Sequence, residues 1–223
     1  MRFNNLLILF SFICMALMGF TQNRSFHINN YTPEDYGRQY ESAHWAMLQD
    51  KEGFVYSGTA NGILQFDGFR WGFIPVRDGK WVTSLARGTQ GRIYAGAQEE
   101  FGYLAPSSLG RLQYHSLPEN LPDTLDFSPT WRTFICRGTV YFQSYEYIFV
   151  YDDDNLMVVQ PKTSFHNLFK AGNSIFTMQR GLGLFRVKGK NLEIIPGTTA
   201  LKNIGVFAVL HVSAGTLLIA TQD

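Results

Sequence analysis

The chain has 223 residues, enough for one or two domains with a sizeable core. Nineteen Lys and Arg face eighteen Asp and Glu, a formal net charge of +1. That balance excludes nucleic acid or an acidic membrane surface as the main partner, since both reward a basic excess. Aromatics at 15% and 21 glycines, with only 17% charged residues, suit many short strands joined by tight turns. A helical protein is excluded because no long apolar stripe of 3.6-residue period occurs.

The first stretch, MRFNNLLILFSFICMALMGFTQN, has one early positive charge, Arg2, and then an apolar run to about Gly19. Gly19 and Thr21 stand at the minus-three and minus-one positions of a cut before Gln22. Residues 1–21 therefore read as a secretory signal peptide. The rival is an uncleaved anchor, for which the run falls short of the roughly 20 apolar residues that a span needs. Cys14 is a poor lipidation site behind bulky Ile13, and it would leave with the signal. Cys136 then has no intrachain partner and reads as a buried, inert thiol.

Residues 22–41 form an N-terminal segment, with 25–31 a candidate ring-closing strand. From residue 42 the chain repeats. The stretch GFVYSGTANGILQFDG (53–68) alternates apolar residues, turns on Asn61-Gly62 and stops on Asp67-Gly68, as a two-residue hairpin requires. Turn glycines preceding a short strand recur at Gly53, Gly91, Gly138, Gly172 and Gly215, at spacings of 38, 47, 34 and 43. Independently, the last strand of each unit ends near a proline: Pro75, Pro118, Pro161 and Pro196. A proline there fits an outer edge strand, where a missing N–H costs least.

Each unit offers four strands. In the first they are 42–48, 54–58, 63–66 and 69–74, and in the second 81–86, 92–96, 101–104 and 112–116. The third offers 130–135, 140–143, 147–151 and 157–160; the fourth offers 165–169, 174–178, 184–187 and 192–195. A fifth unit begins at 206–212. The first strand of each unit is the most apolar or carries a large aromatic, which suits a buried inner position.

Four-stranded units with a period near ~40 are the signature of propeller blades. The expected fold is all-β: a β-propeller with blades at about 42–76, 80–118, 130–161, 165–196 and 204–223. That is about four and a half blades, where a closed ring commonly has seven. The expectation is thus the N-terminal part of a longer product or a truncated gene.

The stretch YTPEDYGRQYESAHWAMLQDKEGFVYSGTANGILQFDG, followed by GRIYAGAQEEFGYL, resembles the periplasmic sensor regions of two-component regulator propeller proteins of Bacteroidetes type. The likeness is strongest over residues 31–104 and persists as blade rhythm from 130 to 223. Ala43-His44-Trp45 replaces the family's Gln-Asn-Trp, and units three and four lack the Asp-Gly turn. The resemblance implies an exported module, with the full-length protein anchored in the inner membrane. It also implies a downstream triple-tyrosine domain, a membrane helix, and a hybrid histidine kinase or helix-turn-helix output. A homodimer is implied in the same way.

Chemical motifs are sparse. Gly-x-Gly in RGLGLF (180–185) sits in a hairpin, not before a helix. Neither a Gly-x-Ser-x-Gly elbow nor a His-Glu-x-x-His pair occurs. The histidines His27, His44, His115, His166 and His211 are scattered, and YDDDN (151–155) lacks calcium-loop spacing. No metal, cofactor or catalytic residue is expected.

In a blade, the links from strand two to three and from strand four to the next blade share one face. That face gathers 59–62, 98–100, 144–146, 179–182 and the long segment 117–131. The candidate ligand contacts there are Glu99, Glu100, Arg132, Tyr145, Glu146 and Arg180. Their mixture of carboxylate, guanidinium and aromatic groups suits an unknown small molecule, a glycan fragment or a protein partner.

The function expected is a non-catalytic extracytoplasmic sensor module that contacts no nucleic acid. The alternatives are a secreted polysaccharide hydrolase or lyase, for which Glu99, Glu100 and Glu146 are the suitable carboxylates, and an interaction scaffold.

Overall fold

A computed structural model describes residues 28–40, 43–122 and 124–222. The expected signal peptide, Cys14 and His27 lie outside the described residues. The chain falls into two compact units, 1–31 and 32–223. Among the described residues of the first, 28–31, there is no helix or strand. The second opens with a single helical turn, α1 (Pro33–Tyr36), with Asp35 accepting from both the backbone N–H and the hydroxyl of Thr32.

Among the described residues eighteen strands follow, in four antiparallel sheets of four and one pair. The first sheet is β1 (His44–Gln49), β2 (Val55–Thr59), β3 (Gly62–Phe66) and β4 (Trp71–Pro75). The second is β5 (Val82–Arg87), β6 (Ile93–Ala97), β7 (Glu100–Pro106) and β8 (Leu112–Ser116). The third is β9 (Arg132–Cys136), β10 (Thr139–Gln143), β11 (Ile148–Asp152) and β12 (Asn155–Val159). The fourth is β13 (Phe165–Ala171), β14 (Ser174–Gln179), β15 (Gly183–Lys188) and β16 (Asn191–Ile194). A hairpin of β17 (Val206–Ser213) and β18 (Thr216–Thr221) completes the described chain.

Every sheet runs in sequence order, strand beside strand, and the first strands of successive sheets pack side by side. This is the blade arrangement of a β-propeller, with about four and a half blades present. The opening hairpin falls where Asn-Gly placed it: β2 and β3 pair from Gly58 against Ile63 outward.

There is no single core. Four apolar layers lie between successive sheets instead. Ile63, Val76, Val82 and Ala95 fill the first. Phe101, Phe142, Phe149 and Tyr151 fill the second. Ile148, Phe165, Leu168 and Ile175 fill the third, with Cys136 buried among them. Phe176, Met178, Leu184 and Val209 fill the fourth.

The burial expected of the first strands belongs instead to the second. β6 is buried throughout, whereas β1 alternates exposed and half-buried residues. A first strand borders the propeller axis on one side; a second strand has neighbours on both sides and sheets on both faces.

Close approach between blades has a sequence cause. Gly58 and Gly96 occupy the same register position in β2 and β6. A Cβ on Gly58 would meet the Val82 carbonyl oxygen at 2.8 Å, and one on Gly96 would meet that of Thr130 at 2.6 Å. Only glycine lets the next blade come this near.

Candidate functional site

The links that follow second and fourth strands converge on one face. Between blades two and three they enclose a cleft of about 600 Å³, lined by Lys80, Glu99, Asp126, Phe127, Ser128 and Glu146, with Leu121 and Leu125 from the long 117–131 connection. Lys80 Nζ donates to Glu99 Oε2 at 3.1 Å. Glu146 Oε2 accepts from the backbone N–H and the hydroxyl of Ser128, each at 2.8 Å. Partial burial pushes the Glu146 carboxyl up, but the bonds from Ser128 outweigh it and hold it below the usual carboxylate range.

An aromatic arc runs beside this cleft. The rings of Trp45 and Trp81 meet edge to face at 5.1 Å, Trp81 and Trp131 do so at 5.6 Å, and Tyr145 lies 6.2 Å from Trp131. The arc crosses three blades. Trp45 lies at the start of β1, where the register against β2 shifts between His44 and Ala46. Trp81 and Trp131 directly precede β5 and β9. Trp45 is 52% exposed and Tyr145 38%, whereas Trp81 and Trp131 between them are half-buried, so the row opens to solvent at its two ends. Tyr145 is fixed by its N–H to Ser128 Oγ, the same hydroxyl that holds Glu146.

The six residues expected on this face separate. Glu99 and Glu146 share the cleft, with Tyr145 in the adjoining arc. Arg180 lines a second cleft, between blades four and five. Arg132 is exposed at the start of β9 and lines neither cleft.

Glu100 is 1% exposed, which removes it from the surface set. Its Oε1 accepts from the Phe101 N–H, the Tyr114 hydroxyl and the Ser116 hydroxyl, and Arg77 stands 3.9 Å from Oε2. Burial pushes its carboxyl up against those bonds. The cause is strand geometry. Glu99 occupies the turn with a φ of 50°, and Glu100 is the first residue of β7, directed into its own sheet.

The tryptophans are the residues that sequence reasoning missed. The available signal was a Trp at or just before the first strand of three successive units, Trp45, Trp81 and Trp131. Among the described residues, no three His, Cys, Asp or Glu converge as metal ligands, and no helix is long and apolar enough to cross a membrane.

Fold and site together define a β-propeller module with an aromatic-edged cleft on its loop face. No protein-family profile matches the chain, and no curated protein matches it. Solved structures do.

The extracellular domain of a B. thetaiotaomicron hybrid two-component system is 16% identical with a TM-score of 0.58, covering 87% of this chain and 26% of that one. Virginiamycin B lyase from Staphylococcus aureus is 14% identical with a TM-score of 0.57, covering 80% and 63%. The WD40 β-propeller domain of Doa1 is 12% identical with a TM-score of 0.60, covering 82% and 63%. At these identities the likeness is one of fold, and this chain spans less than two thirds of each of the three. The same architecture occurs in the extracellular domain of a hybrid two-component system, in a lyase and in a WD40 domain, so function must be argued from the site.

Proposed function

We propose that this chain is the extracytoplasmic, ligand-sensing propeller module of a membrane-spanning signal-transduction regulator, and that it is itself non-catalytic. The observation that carries the reading is the arc Trp45–Trp81–Trp131–Tyr145 beside a cleft of about 600 Å³. A row of rings exposed at Trp45 and Tyr145 and half-buried at Trp81 and Trp131, next to a few placed polar groups, suits a ligand with flat apolar faces and hydroxyl edges, such as a glycan fragment. That the extracellular domain of a hybrid two-component system shares the fold supports this reading. Export, an inner-membrane anchor, downstream domains on the same polypeptide and dimerisation belong to the same proposal.

The carboxylates favour binding over catalysis. A glycosidase needs one carboxyl with a raised value as proton donor. Glu146 is held low, and the raised carboxyl, Glu100, is enclosed in its own blade. A polysaccharide hydrolase or lyase would have to work with Glu99, Asp126 and Glu146.

The test is a titration of the purified chain with a panel of neutral oligosaccharides, followed by tryptophan fluorescence, with chromatography of the mixture. Saturable binding without products, weakened about tenfold by Trp81→Ala, is the expected result, given the value of a lost aromatic contact. Release of products would overturn the non-catalytic reading. Affinity unchanged in Trp81→Ala, or no binding across the panel, would overturn the assignment of the arc as the ligand platform.

A further inference from the structure

The cleft between blades four and five differs from the one just described. It encloses about 330 Å³ and is lined by His166, Arg180, Lys202 and Gln179, with Met178 and Ile204 as apolar wall. Its three basic residues come from three separate pieces of chain: β13, the turn between β14 and β15, and the connection leading to β17. No carboxylate lines it, and none pairs with Arg180 or Lys202 among the described residues. In a chain of nearly balanced charge, a concavity with basic groups alone is a local excess, not a property of the whole surface.

The cleft is also braced. The Arg180 N–H donates to the Ser164 carbonyl at 3.0 Å, and the Gly181 N–H to the Lys202 carbonyl at 3.0 Å. The backbones that carry the two cations are therefore fixed to each other before any ligand arrives, which lowers the ordering cost of binding.

Gln179 supplies an independent observation. It is 0% exposed, and its Oε1 accepts from the Lys162 N–H at 2.8 Å. A backbone N–H can only donate, so that bond fixes which end of the amide is oxygen. The other end, Nε2, is a buried donor with no protein partner. Leaving such a group unpaired costs about 1–3 kcal/mol, so it marks a place where an acceptor is missing. Burial, with repulsion from Arg180, holds the His166 imidazole below its ordinary value, so the positive charge of the cleft rests on Arg180 and Lys202.

We propose that this cleft is a binding site for an oxyanion, the carboxylate, sulfate or phosphate of a small molecule, held by Arg180, Lys202 and the side-chain amide of Gln179. At about 330 Å³ the space exceeds what a bare oxyanion fills, and Met178 and Ile204 would pack against an organic body. The ligand class is therefore a small organic acid anion. The site lies on different blades from the aromatic arc, and neither proposal depends on the other.

The experiment is calorimetric titration of the full chain at low ionic strength with sodium phosphate, sodium sulfate and glucuronate, and with glucose as the neutral control. Saturable glucuronate binding is expected, tighter than phosphate or sulfate, with none for glucose. Arg180→Ala/Lys202→Ala should weaken it tenfold or more, the value of about one charge-assisted hydrogen bond at the least. Arg92→Ala/Arg137→Ala removes the same charge from other turns and should leave the affinity unchanged. Gln179→Met, checked for native circular dichroism, should weaken binding several-fold.

Phosphate and sulfate binding as tightly as glucuronate would keep the oxyanion site and overturn the organic ligand. Failure of all three anions to saturate the folded protein, or equal losses in both double variants, would overturn the site itself.

Discussion

The two clefts on the loop face occupy the same topological position one pair of blades apart, yet their electrostatics are opposite. Between blades two and three, three carboxylates surround one lysine, and each of the two best placed is already engaged: Glu99 by Lys80 and Glu146 by Ser128. Between blades four and five, three basic residues stand without an acid. The β scaffold beneath is nearly identical in register, so charge here is a property of the links. A propeller can vary its recognition chemistry blade by blade while its interblade layers stay apolar.

The comparison can be broken first at its scaffold. Gly96→Val should destabilise the protein by about 1–3 kcal/mol in chemical denaturation, because its Cβ would run into the Thr130 carbonyl oxygen. Met178, in the equivalent position of β14, already carries a side chain in the fourth layer. Met178→Leu there should cost under about 1.5 kcal/mol. Equal losses would mean that the close approach at Gly96 is not what sets the spacing of blades two and three.

Next come two glutamates of blades two and three, Glu100 inside its sheet and Glu146 in the acidic cleft, which should respond to pH with opposite sign. Glu100 has a native value above its ordinary 4.5, so the folded state holds the proton longer than the unfolded chain. Its contribution is full below pH 4.5 and declines as pH rises toward the native value. Glu100→Gln should therefore gain stability relative to wild type as pH rises through that window. Glu146 has a native value below its ordinary 4.5, and its contribution is present above 4.5 and lost as pH falls through the native value. Glu146→Gln should cost stability near neutrality and nothing in acid; at this exposed position the cost should stay below about 1 kcal/mol. Denaturation curves of both variants across the acid range check the signs.

Smaller still is Ser128→Ala. It removes the hydroxyl shared by Glu146 and the Tyr145 N–H, and it should return the Glu146 carboxyl toward its ordinary value. A carboxylate-detected nuclear magnetic resonance titration reads this. On the basic side, saturating glucuronate should raise the value of His166, since an anion offsets both its burial and the Arg180 charge. A fall would place the anion elsewhere.

Much of the scaffold was legible because propeller rules are local. Asn61-Gly62 gave the first hairpin, and the terminal prolines gave the ends of the outer strands: Pro75 closes β4, and Pro118, Pro161 and Pro196 lie within two residues of the ends of β8, β12 and β16. Strand limits shifted by a residue or two, as hairpin ends do. The site was legible only in part.

Glu99 and Glu146 lie on the cleft because turns expose them. Glu100 was misplaced because one step along a strand reverses the side to which a residue points. The arc was missed because its rings come together only when three first strands assemble around an axis. That placement also depends on the irregularity between His44 and Ala46, which no alternation pattern reveals.

The layered core also bears on how the molecule comes apart. Each sheet leans only on its sequence neighbours, so cooperativity must pass from blade to blade. Strands β6 and β10, enclosed on both faces, should hold their amide protons longest in hydrogen exchange. The β17–β18 hairpin, which leaves Phe207, Leu210, Val212 and Leu218 exposed, should open first. The Gly96 junction, where backbone meets backbone across two enclosed blades, should be among the last contacts to part.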